Sequence, residues 1–516
     1  MGKSVYNATD IGILEDEVYD RYLSKPIAMI RRLLMWSLRK EMPLLKWQQD
    51  KLRSRLRDRY FVYSSMLGTH SFFLIFIPMT FWLGSPYFGR GLINVLAFGV
   101  YLSSALKDWL CVPRPYSPPV TRLTIGTHHL EYGFPSTHST NAVSIACYVY
   151  LWIRTLRDAF TGGVWSSYLW EAGLLYYVCS VVYGRIYSGM HSIVDCVAGS
   201  LLGLVIVLAQ WAGFDKIEAF MIRSDWSVPF LVIPIGLLMV SIHPQPLDDC
   251  PCFEDAIAFI AVAMGVSVSR WVAANLGVML VDDHPLNTYP QARTTPVIRL
   301  LPNGIFLVIL TRLVTKTMCN IILPPIIRFF YETFGLILPR RHYVPATEYN
   351  KIPLANLRAV PSILDLPDTL TPTTEMGDDR RRSLLSPDSA YRRNGSISIS
   401  SPSSSRVSSP GPLHERNAGS KRVDYKPANG SGVPAPITQS RPGSPTYVDP
   451  IAEKIAEALR LKDKQRRQEK EKNPVKHYDA DVLTKVVVYF SIGFHATMSI
   501  PVLFERLGWN GQVVQA

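Results

Sequence analysis

The sequence predicts an all-α fold, a polytopic membrane helical bundle of about eight to ten transmembrane helices with a polar segment that stays disordered. Two observations predict it. Apolar runs long enough to cross a bilayer recur from residue 64 to about 337, and one more lies near the C-terminus. Composition then changes completely over 341–476, where SISISSPSSSRVSSPGP and similar stretches carry few large apolar residues. Such a segment cannot bury enough apolar surface to offset the entropy of ordering. No internal repeat of fixed period is present, which argues against a solenoid or array.

Residues 1–60 are basic, and KPIAMIRRLLMWSLRKEM (25–42) mixes apolar and cationic positions. That mixture reads as an amphipathic helix lying in the membrane interface. Residues 61–212 hold five spans, at 64–84, 92–107, 139–156, 168–185 and 192–212. Residues 213–340 add 226–243, 253–280 and 299–319, with a weaker run at 320–337. Each run approaches the ~20 apolar residues that a hydrocarbon core requires. Within 341–476, RLKDKQRRQEKEK (460–472) reads as a solvated helix face. Residues 477–516 return to the membrane through 482–503. Trp82, Tyr87, Trp109 and Trp165 stand near span ends and fit an interfacial aromatic belt.

The formal charge is +13, but it does not point to nucleic acid. Much of the excess sits in 21–59, beside the first span, and no nucleic-acid motif accompanies it. Juxtamembrane cations meet anionic headgroups or set topology. The seven cysteines (111, 147, 179, 196, 250, 252 and 319) are scattered, mostly in or beside spans, and read as small packing residues. Cys250-Pro251-Cys252 lacks a second pair to complete a zinc site, so no metal is expected. Residues 1–25 lack the apolar core of a cleavable signal, so the first span is expected to direct insertion. Arg380-Arg381-Arg382-Ser383 and the Ser-Pro pairs at 386, 401, 409 and 444 are kinase-type sites, which presume a cytosolic tail.

Three polar clusters stand at span ends, where charge is costly and marks function. Lys107 through Arg114-Pro115 closes the second span. Pro135-Ser136-Thr137-His138-Ser139 opens the third. Arg185, His191 and Asp195 join the fourth to the fifth. Span counting places all three at one membrane face, whatever the orientation. Lys107, Arg114 and Arg185 would repel one another there unless an anion joins them. A phosphate suits them, because arginine forks bind its oxygens bidentately and lysine adds a compact charge. Ser136, Thr137 and the N–H groups of a helix start add donors. His191 and Asp195 lie four apart, on one helix face. The carboxylate can hold one imidazole nitrogen and leave the other to attack phosphorus. His138 suits the acid that protonates the leaving alkoxide and the base that then activates water. No carboxylate cluster for Mg²⁺ or Zn²⁺ accompanies these residues, so the cations supply the electrostatic stabilisation and no cofactor is expected.

These residues resemble the signature of the type 2 phosphatidic acid phosphatase and vanadium haloperoxidase superfamily: K-x6-R-P, then P-S-x-H, then S-R-x5-H-x3-D. Lys107 to Arg114-Pro115, Pro135 to His138, and Arg185, His191 and Asp195 match in order and spacing. Gly184 stands where the pattern has serine, and Thr137 where glycine is commonest. FPSTHS and GMHSIVD resemble the sphingosine-1-phosphate and long-chain-base-phosphate phosphatase branch. The resemblance implies a metal-independent lipid phosphate phosphatase acting through a phosphohistidine. It also implies a sphingoid base 1-phosphate substrate and an endoplasmic reticulum membrane with the site on the luminal face. Phosphatidic acid, polyprenyl phosphates and a sugar phosphate stay open as substrates. A multi-span transporter is the reading of another class, but its broken helices and repeat are not seen. Partners are then the lipid phosphate, membrane lipids and kinases acting on 341–476, with no nucleic acid.

A luminal site leaves the basic N-terminus on the same face, against the positive-inside rule, and allows a cytosolic tail only if 299–337 crosses twice. Other polar residues read as bland. Glu254, Asp255 and Arg270 lie near the ends of the seventh segment or pair with each other. His243 and His495 read as packing residues. His128-His129 lie in the site-face loop. Asn7, Asn394 and Asn429 open glycosylation sequons.

Overall fold

The computed structural model describes residues 11–68, 70–123, 131–156, 164–277, 297–335, 343–344 and 477–509. All belong to one compact unit. Residues 345–476, with their expected disorder, charged run and kinase-type sites, lie outside the described residues, as do His128-His129 and the three sequons.

The N-terminal segment forms α1 (Asp16–Tyr22), α2 (Lys25–Leu52) and α3 (Arg55–Ser64). Helix α2 is the expected amphipathic helix, but it continues past Met42 and through Pro43. Ile27, Met35, Leu38 and Leu45 face the protein, while Met29, Leu33, Trp36 and Trp47 are exposed. The Lys40 ammonium sits 5.9 Å from the Trp36 ring centroid. Two apolar faces fitted with cations suit a helix lodged between the bundle and lipid headgroups.

The bundle follows as α4 (His70–Trp82), α5 (Pro86–Leu110), α6 (Thr137–Leu156), α7 (Val164–Tyr187), α8 (Ile193–Met221), α9 (Ser227–Ile242), α10 (Cys252–Asn275) and α11 (Val297–Phe334). Two short strands, β1 (Tyr343–Val344) and β2 (His477–Tyr478), pair in parallel. Then come α12 (Asp479–Phe494), a π-turn at His495–Ser499, and α13 (Ile500–Arg506). Among the described residues, five helical stretches are long and apolar enough to cross a membrane: Pro86–Leu110, Ile193–Met221, Cys252–Asn275, Arg299–Phe334 and Asp479–Arg506. The chain is an all-α multi-pass membrane protein.

Helix α5 is the central post, with Leu92, Leu96 and Val100 packed on Tyr148 of α6, Val207 of α8 and Ile260 of α10. In lipid, close van der Waals packing replaces the hydrophobic drive, so small residues set helix contacts. A Cβ at Gly199 of α8 would lie 2.4 Å from the Ser136 carbonyl oxygen. That contact holds the start of α6 against the start of α8, and both starts build the site.

The expected spans at 299–319 and 320–337 are one helix of 38 residues. At 1.5 Å per residue it is ~57 Å long, well beyond the ~30 Å hydrocarbon core. The stretch is one candidate span, not the two that a luminal site with a cytosolic tail requires. Helix α8 leaves the site-bearing end, α9 returns, α10 leaves and α11 returns. Side chains agree: the Tyr343 hydroxyl donates to Glu254 Oε1 at 3.3 Å, at the start of α10, and Lys485 of α12 reaches Glu254 Oε2 at 3.3 Å. Glu254 and Arg270 therefore do not pair with each other. Arg270 lies 3.8 Å from Glu218 at the other end.

Candidate active site

The turn between α7 and α8 carries His191. Gly189 has φ +66°, and a Cβ there would lie 2.5 Å from Val120 Cγ1 and 2.7 Å from the Thr121 oxygen, so only glycine fits. Ser192 then caps α8 reciprocally with Asp195. The Asp195 N–H donates to Ser192 Oγ at 3.1 Å and the Ser192 N–H to Asp195 Oδ2 at 2.8 Å. A second carboxylate, Glu41 of α2, accepts from the Ile193 N–H at 2.6 Å. Two anions at the positive end of α8 fix the turn that aims His191.

The imidazole is 1% exposed. Its Nδ1 lies 2.9 Å from the Gly133 carbonyl oxygen, and its Nε2 lies 2.9 Å from Arg114 Nη1. A carbonyl only accepts, and a guanidinium only donates. The network therefore assigns the proton to Nδ1 and the lone pair to Nε2. Asp195, the residue expected to hold the ring, stands with Oδ2 3.7 Å from Nδ1, and the Gly133 carbonyl makes the hydrogen bond. Asp195 is occupied by its cap and acts on the ring at longer range. Burial, and after it the charges of Arg114, Arg185 and Lys107, hold the imidazole well below its ordinary basicity.

The cations converge as the spacing predicts, but they do not stand alone. Glu131 Oε2 lies 2.9 Å from Lys107 Nζ and 3.2 Å from Arg114 Nη2. Arg114 also donates from Nε to the Glu131 carbonyl at 3.0 Å and from Nη1 to the Met190 carbonyl at 3.0 Å. Arg185 is 4% exposed, and its Nε and Nη2 have no hydrogen-bond partner among the described residues. Buried donors are nearly always satisfied, so these face a place for an acceptor.

Of the remaining predicted residues, Ser136 is fully buried, accepts from Ser139 Oγ at 3.0 Å, and donates its N–H to the Asp195 carbonyl at 3.0 Å. Thr137 accepts from Ser103 of α5 at 3.0 Å, which ties it to the central post. His138 is half-buried against Gly68, and its charge acts on His191. A Cβ at Gly184 would lie 3.1 Å from the Phe61 ring, so α3 fills the space that the superfamily's serine would take.

Sequence reasoning missed Glu131, Glu41 and Gly133. A charge count could have found the first, since Asp108 and Glu131 are the only acidic residues in the 108–137 loop. Asp108, Cys250 and Cys252 form a buried group with ligand atoms within 4.8 Å of one another. The two sulfurs are joined in a disulfide and in that state offer no thiolate.

Fold and site together define a multi-pass membrane protein with a buried histidine among three cationic side chains at one end of its helical bundle. The family model described as the PAP2 superfamily matches residues 88–218. The dihydrosphingosine 1-phosphate phosphatase of Schizosaccharomyces pombe is 36% identical over 300 residues, covering 58% of this chain and 72% of that protein. The dihydrosphingosine 1-phosphate phosphatase YSR3 of Saccharomyces cerevisiae is 35% identical over 283 residues, covering 54% and 68%. Sphingosine-1-phosphate phosphatase 1 of Rattus norvegicus is 30% identical over 280 residues, covering 54% and 62%. No solved structure matches. The chain belongs to the PAP2 superfamily.

Proposed function

We propose that the chain hydrolyses the phosphomonoester of sphingoid long-chain base 1-phosphates, without a metal, through a phosphohistidine. The observation that carries this reading is the neutral His191 whose Nε2 lone pair lies among Lys107, Arg114 and Arg185. Relatives named for dihydrosphingosine and sphingosine 1-phosphate support the substrate class.

The phosphate enters on the three cations, with the Ser136 and Thr137 hydroxyls and the N–H groups of the α6 start as further donors. Arg114 turns from Glu131 and His191 to the phosphate oxygens, which frees Nε2. Nε2 attacks phosphorus, the ester P–O bond breaks, and His138 gives its proton to the leaving alkoxide. Water then attacks phosphorus, His138 takes its proton, the N–P bond breaks, and inorganic phosphate leaves. Asp195 and the Gly133 carbonyl stabilise the Nδ1–H as positive charge develops on the ring. The cations carry the charge of the equatorial oxygens. A divalent ion at this place would meet three positive side chains, which disfavours it.

An endoplasmic reticulum membrane and a luminal site follow from the resemblance. Because both flanks of 345–476 stand at the site end, a luminal site excludes cytosolic kinases acting on that segment. The test is phosphate release from dihydrosphingosine 1-phosphate by purified protein in EDTA, comparing wild type with His191→Ala. Activity in EDTA that drops ~10⁴-fold or more in the variant supports the proposal. Equal release by both proteins refutes the nucleophile, and no release by either refutes the substrate class.

A further inference from the structure

We infer that Glu131 selects substrates that carry an ammonium group next to the phosphate; this rests on the sphingoid base reading above. Glu131 is placed to do so. Its Oε2 bridges Lys107 and Arg114, two of the groups that would take the phosphate. One Arg114 nitrogen is held by Glu131 and the other by His191 Nε2, so the carboxylate stands one guanidinium away from the attacking atom. Its side chain is 12% exposed against 3% for each cation, so it has the freer path toward the pocket mouth. Asp108, the other acid of the loop, is buried beside His243 at 3.7 Å and belongs to the packing behind the site.

A phosphate dianion carries more charge than a carboxylate and takes Lys107 and Arg114 from it. Displaced by rotation about its own bonds, Glu131 would lose these two cations. A sphingoid base 1-phosphate brings a replacement in the same headgroup. Its C1 bears the ester oxygen and its C2 bears an ammonium. The substrate thus exchanges partners with the site: phosphate to the cations, carboxylate to the ammonium. A glycerol-based lipid phosphate offers no cation and leaves Glu131 as a competitor of the phosphate.

The two roles separate on one substitution. Purified full-length wild type and Glu131→Gln are assayed on dihydrosphingosine 1-phosphate and on a lysophosphatidate of matched chain length. The variant should lower kcat/KM for the amine-bearing lipid roughly tenfold and raise it severalfold for the lysophosphatidate. A fall on both alike would mark a structural residue, and a rise on both would mark a plug without selectivity; either overturns the inference. Wild type alone gives a second readout, independent of the variant's folding. Dihydrosphingosine 1-phosphate acylated on nitrogen by an acetyl group should lose roughly tenfold in kcat/KM, and equal rates would overturn the inference. Wild type showing no preference for the amine-bearing lipid sinks the substrate reading itself. A preference that persists unchanged in Glu131→Gln sinks only the role of Glu131.

Discussion

Each end of the bundle buries an arginine at a helix end, and the two are satisfied differently. Far from the site, Arg90 is 7% exposed and grips both oxygens of Glu218, with Nε–Oε1 at 2.8 Å and Nη2–Oε2 at 2.7 Å. At the site, Arg185 is 4% exposed, yet two of its nitrogens find no acceptor among the described residues. Burial alone does not separate a brace from a binding group. Satisfaction does: a bidentate pair is complete without a ligand, and an unmet guanidinium is complete only with one.

Substitutions can break that contrast. Arg90→Ala leaves Glu218 buried without its bidentate partner and should cost about 3–5 kcal/mol of stability. A melting curve in detergent reads this, and kcat/KM of the folded fraction should hold. Arg185→Ala should do the opposite, with a ~10²–10³-fold fall in kcat/KM and a melting point near wild type. If Arg185→Ala instead melts as early as Arg90→Ala, Arg185 joins the braces. Glu41→Gln sharpens the comparison within the site. It weakens the anionic cap of α8 by about 0.5–2 kcal/mol, and it should lower kcat with little change in KM, because the turn under His191 loosens while the phosphate donors stay.

The smallest effect is on pH. On the proposed mechanism the imidazole must be neutral to attack, and its basicity is depressed, so the acid limb of kcat/KM should lie below the ordinary histidine value of 6.5. Arg114→Gln removes one of the depressing charges and should move that limb upward. Burial, the larger cause, persists, so the limb stays short of the ordinary value. A limb that does not move would remove Arg114 from the causes.

The sequence made the motif residues legible because spacing encodes them. The four-residue step from His191 to Asp195 and the helix-end positions of Lys107 and Arg185 follow from helix periodicity and span counting. What it could not show were contacts between distant segments. Glu41 reaches the start of α8 across 152 residues of sequence, from a helix crowded with charges that look alike. The Gly133 carbonyl has no side chain to announce it, and it makes the ring hydrogen bond that spacing offered to Asp195. The division of 299–337 into two runs failed for a different reason. Hydropathy alone does not say whether two adjoining apolar runs, 299–319 and 320–337, share one axis, and the helix continues through both and through Pro324 and Pro325, as membrane helices can where neighbouring groups satisfy the freed backbone.

The pairing of Tyr343 with His477 gives the chain a built-in compartment reporter. Residues 345–476 contain no apolar run of spanning length, so their sequence offers no crossing that would part Asn394 and Asn429 from the compartment of His191. Oligosaccharyl transfer to Asn-Gly-Ser occurs only in the lumen, and proline-directed kinases act on the other side. On a single topology, N-linked sugar and phosphate from such kinases would then be mutually exclusive marks. A mobility shift under endoglycosidase would place the hydrolytic pocket in the lumen, and tail phosphorylation would place it in the cytosol, with no tag or fusion added to the chain.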